Sequence, residues 1–439
     1  MSDPVHEPSP TFCIIPWIQV FGDERGLLRP CCMTQGQAER ELRNLDEHGQ
    51  EYTIHGPDAI ARGWNSPFMR ELRRDMLEGT QPAVCARCFN EEALGIESYR
   101  QDANKNFASR VAGAAAATTP DGAAPLDLVC SADFRLGNAC NLKCRMCSPV
   151  STKLLIPEFK KMFNLPDDQP ELVALERVDW FDQDTFWDNC ARLMPSLDQL
   201  HFAGGEPMII NRMLDFLESA AASGHAGRIR LSYVTNLTTL PDRVTSLWPS
   251  FRGVQLTVSL DGHEPINSLI RYPARWDRIE THLARLTEAP ERYNLDSLTF
   301  NTTVQMYNVL YLADLFEHLL TRHHPKVTPY PRLSLLHWPA SFDIQVLPAE
   351  LKAVATDRLR AFVQRWTGRW PVEGEKLDRF LHAIDGVIEH MHQADRSGNF
   401  AEFARRTAVF DESRGHDTGA VIPEFAALLA AASEAAART

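Results

Sequence analysis

Three cysteines stand close together in the run Cys140-Asn141-Leu142-Lys143-Cys144-Arg145-Met146-Cys147, a Cys-x3-Cys-x2-Cys spacing. Thiolates are ligands for soft metals and for iron–sulfur clusters. Three of them, offered to a [4Fe–4S] cube that takes four ligands, leave one iron open to a further molecule. The chain has ten cysteines in 439 residues, so two more at fixed offsets from any one of them is a rare chance arrangement. Zinc is the competing reading, because thiolates also suit it, but zinc motifs usually pair two Cys-x2-Cys knuckles.

A second motif follows downstream. Gly204-Gly205-Glu206-Pro207 comes after the run Leu200-His201-Phe202-Ala203 and before Ile210, Met213, Leu214, Leu217 and Ala221. That order reads as strand, glycine turn, helix. Paired glycines let the backbone approach a ligand closely.

The cysteine triplet followed by this GGEP turn resembles the radical SAM superfamily. The resemblance implies that Cys140, Cys144 and Cys147 hold a [4Fe–4S] cluster whose open iron binds S-adenosylmethionine. It implies that Gly204, Gly205, Glu206 and Pro207 receive the methionine amino group. Ser259 and Asp261 would lie near the ribose and amine, and Asn236 would hydrogen-bond the cofactor. Arg271 suits the carboxylate, since a guanidinium matches that fork. The implied electron donor is a flavodoxin or ferredoxin. His337, Tyr233, Tyr307 and Cys190 are candidates to donate a proton or hydrogen atom to substrate. Residues of these types are more often packed or hydrogen-bonded at strand ends, or buried thiols.

Near the N-terminus, twelve residues separate Cys13 from Gly26 and four more separate it from Cys31. A second pair, Cys85-Ala86-Arg87-Cys88, follows. Between them the pattern predicts a helix with Ser66 as N-cap, Pro67 at its first position and Gly79 past its end. Its expected apolar stripe is Phe68, Leu72 and Met76. Four thiolates fit either a closed [4Fe–4S] cluster or a four-cysteine zinc site. The Cys-x12-Gly-x4-Cys opening resembles the SPASM and twitch auxiliary-cluster domains, which implies a second, auxiliary [4Fe–4S] cluster on Cys13, Cys31, Cys85 and Cys88. Cys32 is an alternate ligand. In most relatives the auxiliary domain follows the barrel; here it precedes it, as in N-terminal twitch radical SAM proteins.

The elements that must position these residues alternate strand and helix. Strands are expected at 126–136, 199–203, 228–234, 254–260, 298–304 and 332–337, with helical periodicity between them. Repeated β–α units imply a parallel sheet with helices outside. Six units are too few for an eightfold barrel, so the expected fold is α/β, a partial (β/α)6 barrel over 126–348. It is flanked by an auxiliary-cluster domain over 1–108 and a helical C-terminal extension over 349–439. The Ala-, Gly-, Thr- and Pro-rich stretch 109–125 reads as a linker. All candidate ligand residues in the barrel then fall at the C-terminal ends of strands, where parallel α/β folds bind ligands. In the extension, three expected helices (349–369, 374–393 and 422–438) carry no evident chemistry.

Net charge is −13, with 44% hydrophobic and 23% charged residues. An acidic balance argues against nucleic-acid or anionic-membrane binding. No apolar run reaches membrane-spanning length. No signal peptide is read, and ten cysteines without one point to a reducing, cytoplasmic setting. Three functions are consistent with these features. The first is a radical SAM oxidoreductase or maturase that oxidises or crosslinks a peptide or small polar substrate, the auxiliary cluster accepting the electron. The second is a redox-neutral epimerase or transferase. The third is a non-catalytic iron–sulfur or zinc binding protein. With 1–108 committed to cysteines, no leader-binding domain is evident before the barrel, which favours a small molecule or a peptide presented by a partner.

Overall fold

The computed structural model describes residues 9–34, 42–93, 97–322 and 324–437. Parts of the expected 1–108 domain, and residue 438 of the last expected helix, lie outside the described residues. The chain falls into two units. One combines Met1–Asn138, Val178–Tyr233 and Ser250–Gly253; the other combines Ala139–Arg177, Val234–Pro249 and Val254–Thr439.

In the first unit, β1 (Gln19–Gly22) pairs antiparallel with β2 (Leu28–Arg29). It also pairs parallel with β3 (Ser131–Arg135). Parallel pairing continues from β3 to β4 (Gln199–Ala203), and from β4 to β5 (Arg230–Thr235) through Tyr233. The N-terminal segment therefore shares a sheet with β3, whereas the sequence pattern suggested a separate domain. Every residue of β1 is buried, as suits a strand enclosed in a parallel sheet. The strand expected at 126–136 is shorter: Leu126–Leu128 is a 3₁₀ turn after Pro125, and pairing starts at Ser131.

The helix Pro67–Glu78 matches its sequence signals. The Ser66 hydroxyl accepts the Met69 N–H at 3.2 Å, and Gly79 ends the helix at φ +86°. Its buried face is Met69, Leu72, Arg73 and Met76, which includes Leu72 and Met76 of the expected stripe, while Phe68 packs partly buried against the same core. The stretch expected as a linker is instead helical over Ala108–Ala116, alanine being the best helix former. Ala114 and Ala124 join a core with Trp17 and Ile18, and Trp17 Nε1 donates to Thr118 Oγ1 at 2.7 Å.

In the second unit, β6 (Gly253–Ser259), β7 (Leu295–Val304) and β8 (Arg332–Leu335) pair in parallel, in that order. Burial alternates along β6 and β7. Val254, Leu256, Val258, Leu298, Phe300 and Val304 are enclosed. Thr257, Ser259, Thr299, Asn301 and Thr303 form a half-buried polar face, with Thr257 paired to Thr299 and Ser259 to Asn301. A fully buried parallel sheet is apolar on both faces, so this face is not packed as an apolar core.

The C-terminal helices Ala349–Trp366, Glu375–Gln393 and Pro423–Ala437 occur where expected. A fourth, Phe400–Arg414, was not anticipated. These helices share a core with strand ends and the helix Ile156–Phe163. Phe403 lies at its centre, with ring centroids 4.9 Å from Tyr307, 5.3 Å from Phe400 and 5.4 Å from Phe425. Among the described residues no helix is long and apolar enough to cross a membrane.

Truncating Phe403 to alanine is expected to cost about 3–5 kcal/mol, the usual range for a buried ring. Denaturant unfolding measures it, and a loss below about 1 kcal/mol would mean that this ring cluster is not a packed core.

Candidate functional site

The loop carrying Cys140, Cys144 and Cys147 has no regular secondary structure. Its shape is set by its neighbours. Lys143 N–H donates to Tyr272 O at 2.6 Å and Arg145 N–H to Ile270 O at 2.8 Å. Thr152 Oγ1 donates to Leu142 O at 3.0 Å. Cys140 Sγ faces the Leu142 N–H at 3.4 Å and the Asn236 amide at 4.0 Å. Asn236 also donates to Asn141 Oδ1 at 2.9 Å and accepts from Thr238 N–H at 2.9 Å. Expected as a direct cofactor contact, Asn236 is engaged in shaping the cysteine loop.

The Cys144 and Cys147 thiols are hydrogen-bonded to each other. The Cys147 thiol, aided by the Arg271 guanidinium and opposed by burial, lowers the pKa of Cys144; the Cys144 thiol and burial raise that of Cys147 against the same guanidinium. Arg271 is buried; burial works against its charge, but the Asp261 carboxylate and both thiols outweigh it and raise its pKa. Arg271 Nε lies 2.8 Å from Asp261 Oδ2, and Asp261 Oδ1 accepts the Thr303 N–H at 2.8 Å. Ser259 lies half-buried at the end of β6. Three convergent thiols beside a buried cation suit an anionic, thiolate-ligated cluster, so the residues fit the group.

Two cations interleave the cysteines, and both are tied to the helix Phe400–Arg414. Arg145, whose side chain is fully buried, donates through Nη2 to Asp411 at 2.5 Å and through Nε to Leu269 O at 3.0 Å. Its guanidinium lies 4.9 Å from the Tyr307 ring and 5.6 Å from that of Phe410. Lys143 reaches Glu158 at 3.1 Å, and Arg414 grips the same carboxylate through Nε at 3.0 Å and Nη2 at 2.8 Å. Sequence reasoning missed Asp411, Glu158 and Arg414. The helical spacing of Phe400, Phe403, Thr407, Phe410 and Arg414 was the available signal.

The GGEP turn belongs to the first unit. Gly204 adopts φ +75°, and a Cβ there would come within 2.7 Å of the Arg135 carbonyl carbon. Only glycine fits so close to the end of β3. Glu206 is buried, and its carboxylate accepts the Met208 N–H at 3.1 Å, capping the 3₁₀ turn Pro207–Ile209.

In the same unit, every pair among Cys13, Cys31, Cys85 and Cys88 is near enough to interact electrostatically. Burial leads in pushing all four thiols above their ordinary range. The backbone at Ile15, Met33 and Arg100 works against that rise at Cys13, Cys31 and Cys88. The turn before Cys13 is braced by Arg100, which donates to Phe12 O at 2.7 Å, and by Asn104, which donates to the same oxygen at 2.8 Å. Cys32 faces Asp133 and Arg135, and burial pushes its thiol up to about 11.

The remaining candidates disperse. Tyr307 is buried, its hydroxyl 2.7 Å from Thr407 Oγ1, and Tyr233 stacks on Phe202 at 5.9 Å. Cys190 is buried on the helix Asp184–Leu193, and burial raises its thiol well above the ordinary value. His337 is exposed, with Nδ1 3.5 Å from Asp343 Oδ2.

No family model and no curated protein matches the chain. Among solved structures, Streptococcus suis SuiB bound to S-adenosylmethionine aligns at 13% identity and a TM-score of 0.32, over 67% of this chain and 64% of that one. SuiB bound to its precursor peptide SuiA aligns at 12% identity and a TM-score of 0.34, over 64% of this chain and 60% of that one. The chain thus spans less than two thirds of those proteins, and the functional reading rests on the residues themselves.

Two outcomes are expected. Replacing Asp411 by alanine strands the Arg145 charge and should cost about 3–5 kcal/mol in denaturant unfolding. A double variant, Arg145→Met with Asp411→Ala, should recover part of it; equal losses would mean the pair is not coupled. Burial would raise the Glu158 carboxyl, but Arg414, Ser413 and Lys143 outweigh it and hold its pKa below the ordinary 4.5. Its stabilisation is therefore full above pH 4.5 and fades as pH falls through the lowered value. The stability gap between wild type and Glu158→Gln should shrink on acidification; a gap that widens would reverse the assignment.

Proposed function

We propose that the chain is a radical SAM enzyme. The observation that carries this reading is the Cys140–Cys147 loop, whose Cys144 and Cys147 thiols lie beside the buried Arg271–Asp261 pair with Cys140 near Cys147. When bound, the cluster supplies an electron that cleaves S-adenosylmethionine to methionine and a 5′-deoxyadenosyl radical, which abstracts hydrogen from substrate.

The chain's own contribution is to hold and shield. Cys140, Cys144 and Cys147 ligate the cluster, while Asn236 and the Leu142 N–H fix the Cys140 thiol. Arg271 offsets the negative charge that thiolates gather, and Asp261 keeps Arg271 in place. Gly204 and Gly205 are read as receiving the cofactor's amino group, and Ser259 offers a hydroxyl at the end of β6.

Cys13, Cys31, Cys85 and Cys88 are read as ligands of an auxiliary [4Fe–4S] cluster. The mutual proximity of the four thiols and the resemblance of their spacing to auxiliary-cluster domains support this reading. A closed, buried cluster suits an electron acceptor, so the reaction is read as oxidation or crosslinking of a peptide or small polar substrate, with flavodoxin or ferredoxin as donor.

The test is anaerobic reconstitution of wild type and a variant with Cys140, Cys144 and Cys147 all changed to alanine. About eight irons in wild type, about four in the variant, and 5′-deoxyadenosine from wild type alone are expected after adding S-adenosylmethionine and dithionite. About four irons with bound zinc in wild type would remove the auxiliary cluster. Full iron without nucleoside would instead favour a non-catalytic binding protein.

A further inference from the structure

The polar group at the end of β8 is separate from the cysteines. The strand stops at Leu335, and Leu336 N–H still donates to Val304 O at 3.0 Å before the chain turns. The turn is pinned where Met306 N–H donates to Phe342 O at 3.0 Å. Asp343 follows and caps the next turn, Ile344–Val346, its Oδ1 accepting the Gln345 N–H at 2.9 Å. His390 arrives from the helix Glu375–Gln393, with Nε2 2.9 Å from Asp343 Oδ1. Gln345 fixes that approach by donating to His390 O at 3.0 Å. His337 completes the group, with Nδ1 3.5 Å from Asp343 Oδ2. The two imidazole rings are 5.3 Å apart and nearly perpendicular.

One ligand atom from each of these three residues lies within 4.8 Å of the other two, the only such group of three or more among the described residues. We propose that His337 Nδ1, His390 Nε2 and the Asp343 carboxylate bind one divalent transition-metal cation, of the zinc or ferrous class, with open coordination positions toward solvent. Two imidazoles and a carboxylate are ligands these borderline cations select, and a three-ligand set leaves room for water or a substrate group. The carboxylate is already oriented by the Gln345 N–H, as second-shell bonds orient metal ligands. Ser341 Oγ and Gln345 Oε1, two residues either side of Asp343, are buried without hydrogen-bond partners, which leaves acceptors in the same segment for metal-bound water. The nearby cation, Lys352, is directed elsewhere, its Nζ donating to Ala394 O at 2.8 Å.

The alternative is a pair of histidines held by one aspartate with no metal, and binding separates the two. Full-length wild type, His337→Ala and His390→Ala would be dialysed anaerobically against zinc, and bound metal counted. The cysteines contribute equally to all three, so the difference isolates this site. One cation fewer per chain in each variant is expected. Cobalt difference spectra, wild type minus variant, should show visible d–d bands without thiolate-to-cobalt charge transfer. Equal stoichiometry in all three proteins, or a difference spectrum dominated by thiolate charge transfer, would overturn the proposal. His337 is exposed, so its removal leaves the fold intact, which an unchanged unfolding midpoint checks.

Discussion

A buried arginine within the cysteine loop sets the terms for much of the second unit. Arg145 lies between Cys144 and Cys147, and its side chain has no exposure. A cation so placed must be met by charge and hydrogen-bond acceptors, or it costs several kcal/mol. Asp411, Leu269 O and two aromatic faces meet it. Asp411 is itself fixed by Thr418, whose N–H and hydroxyl donate to it at 2.9 and 2.8 Å. The position of the cysteine loop therefore depends on a helix more than 250 residues later in the chain. Lys143 repeats the pattern through Glu158 and Arg414. The C-terminal extension is part of the machinery that shapes the loop.

A side-chain cation acts on each group of thiols. Beside Cys144 and Cys147 it is Arg271, locked to Asp261. Beside Cys13, Cys85 and Cys88 it is Arg100, which divides its donors between Glu92 and backbone carbonyls. A cation beside a partly open site can also meet the charge of an arriving ligand.

Local signals were legible in sequence where the physics is local. Ser66, Pro67 and Gly79 mark their helix because capping depends on those residues alone. The strands at 199–203 and 254–260 follow from period-two burial. Failures arose where partners are distant. The N-terminal run Gln19–Gly22 could not be assigned to a sheet, because its partner is β3 more than a hundred residues away. The alanine-rich stretch looked like a linker, yet Ala114 and Ala124 are small because they pack beneath Trp17 and its neighbours. At the site, residue type identified the cysteines, but Asn236 and Arg271 turn out to be braced by neighbours that no spacing rule connects. The Asp343–His390 approach was invisible for the same reason.

The polar face of β6 and β7 bears on what the protein can select. Asp261 is committed to Arg271 and the Thr303 N–H, and Asn308 holds the Asp261 carbonyl at 2.8 Å. Groups already satisfied in this way position other groups and discriminate little between ligands. Ser259, Asn301 and Thr303 are half-buried beyond them, on the face that packing leaves open. Hydroxyls and an amide there favour a hydrogen-bonding ligand over an apolar one, since an apolar occupant would leave them desolvated and unpaired. Polarity on the sheet face is thus a constraint separate from the charge at the cysteines: whatever covers these groups must return their hydrogen bonds.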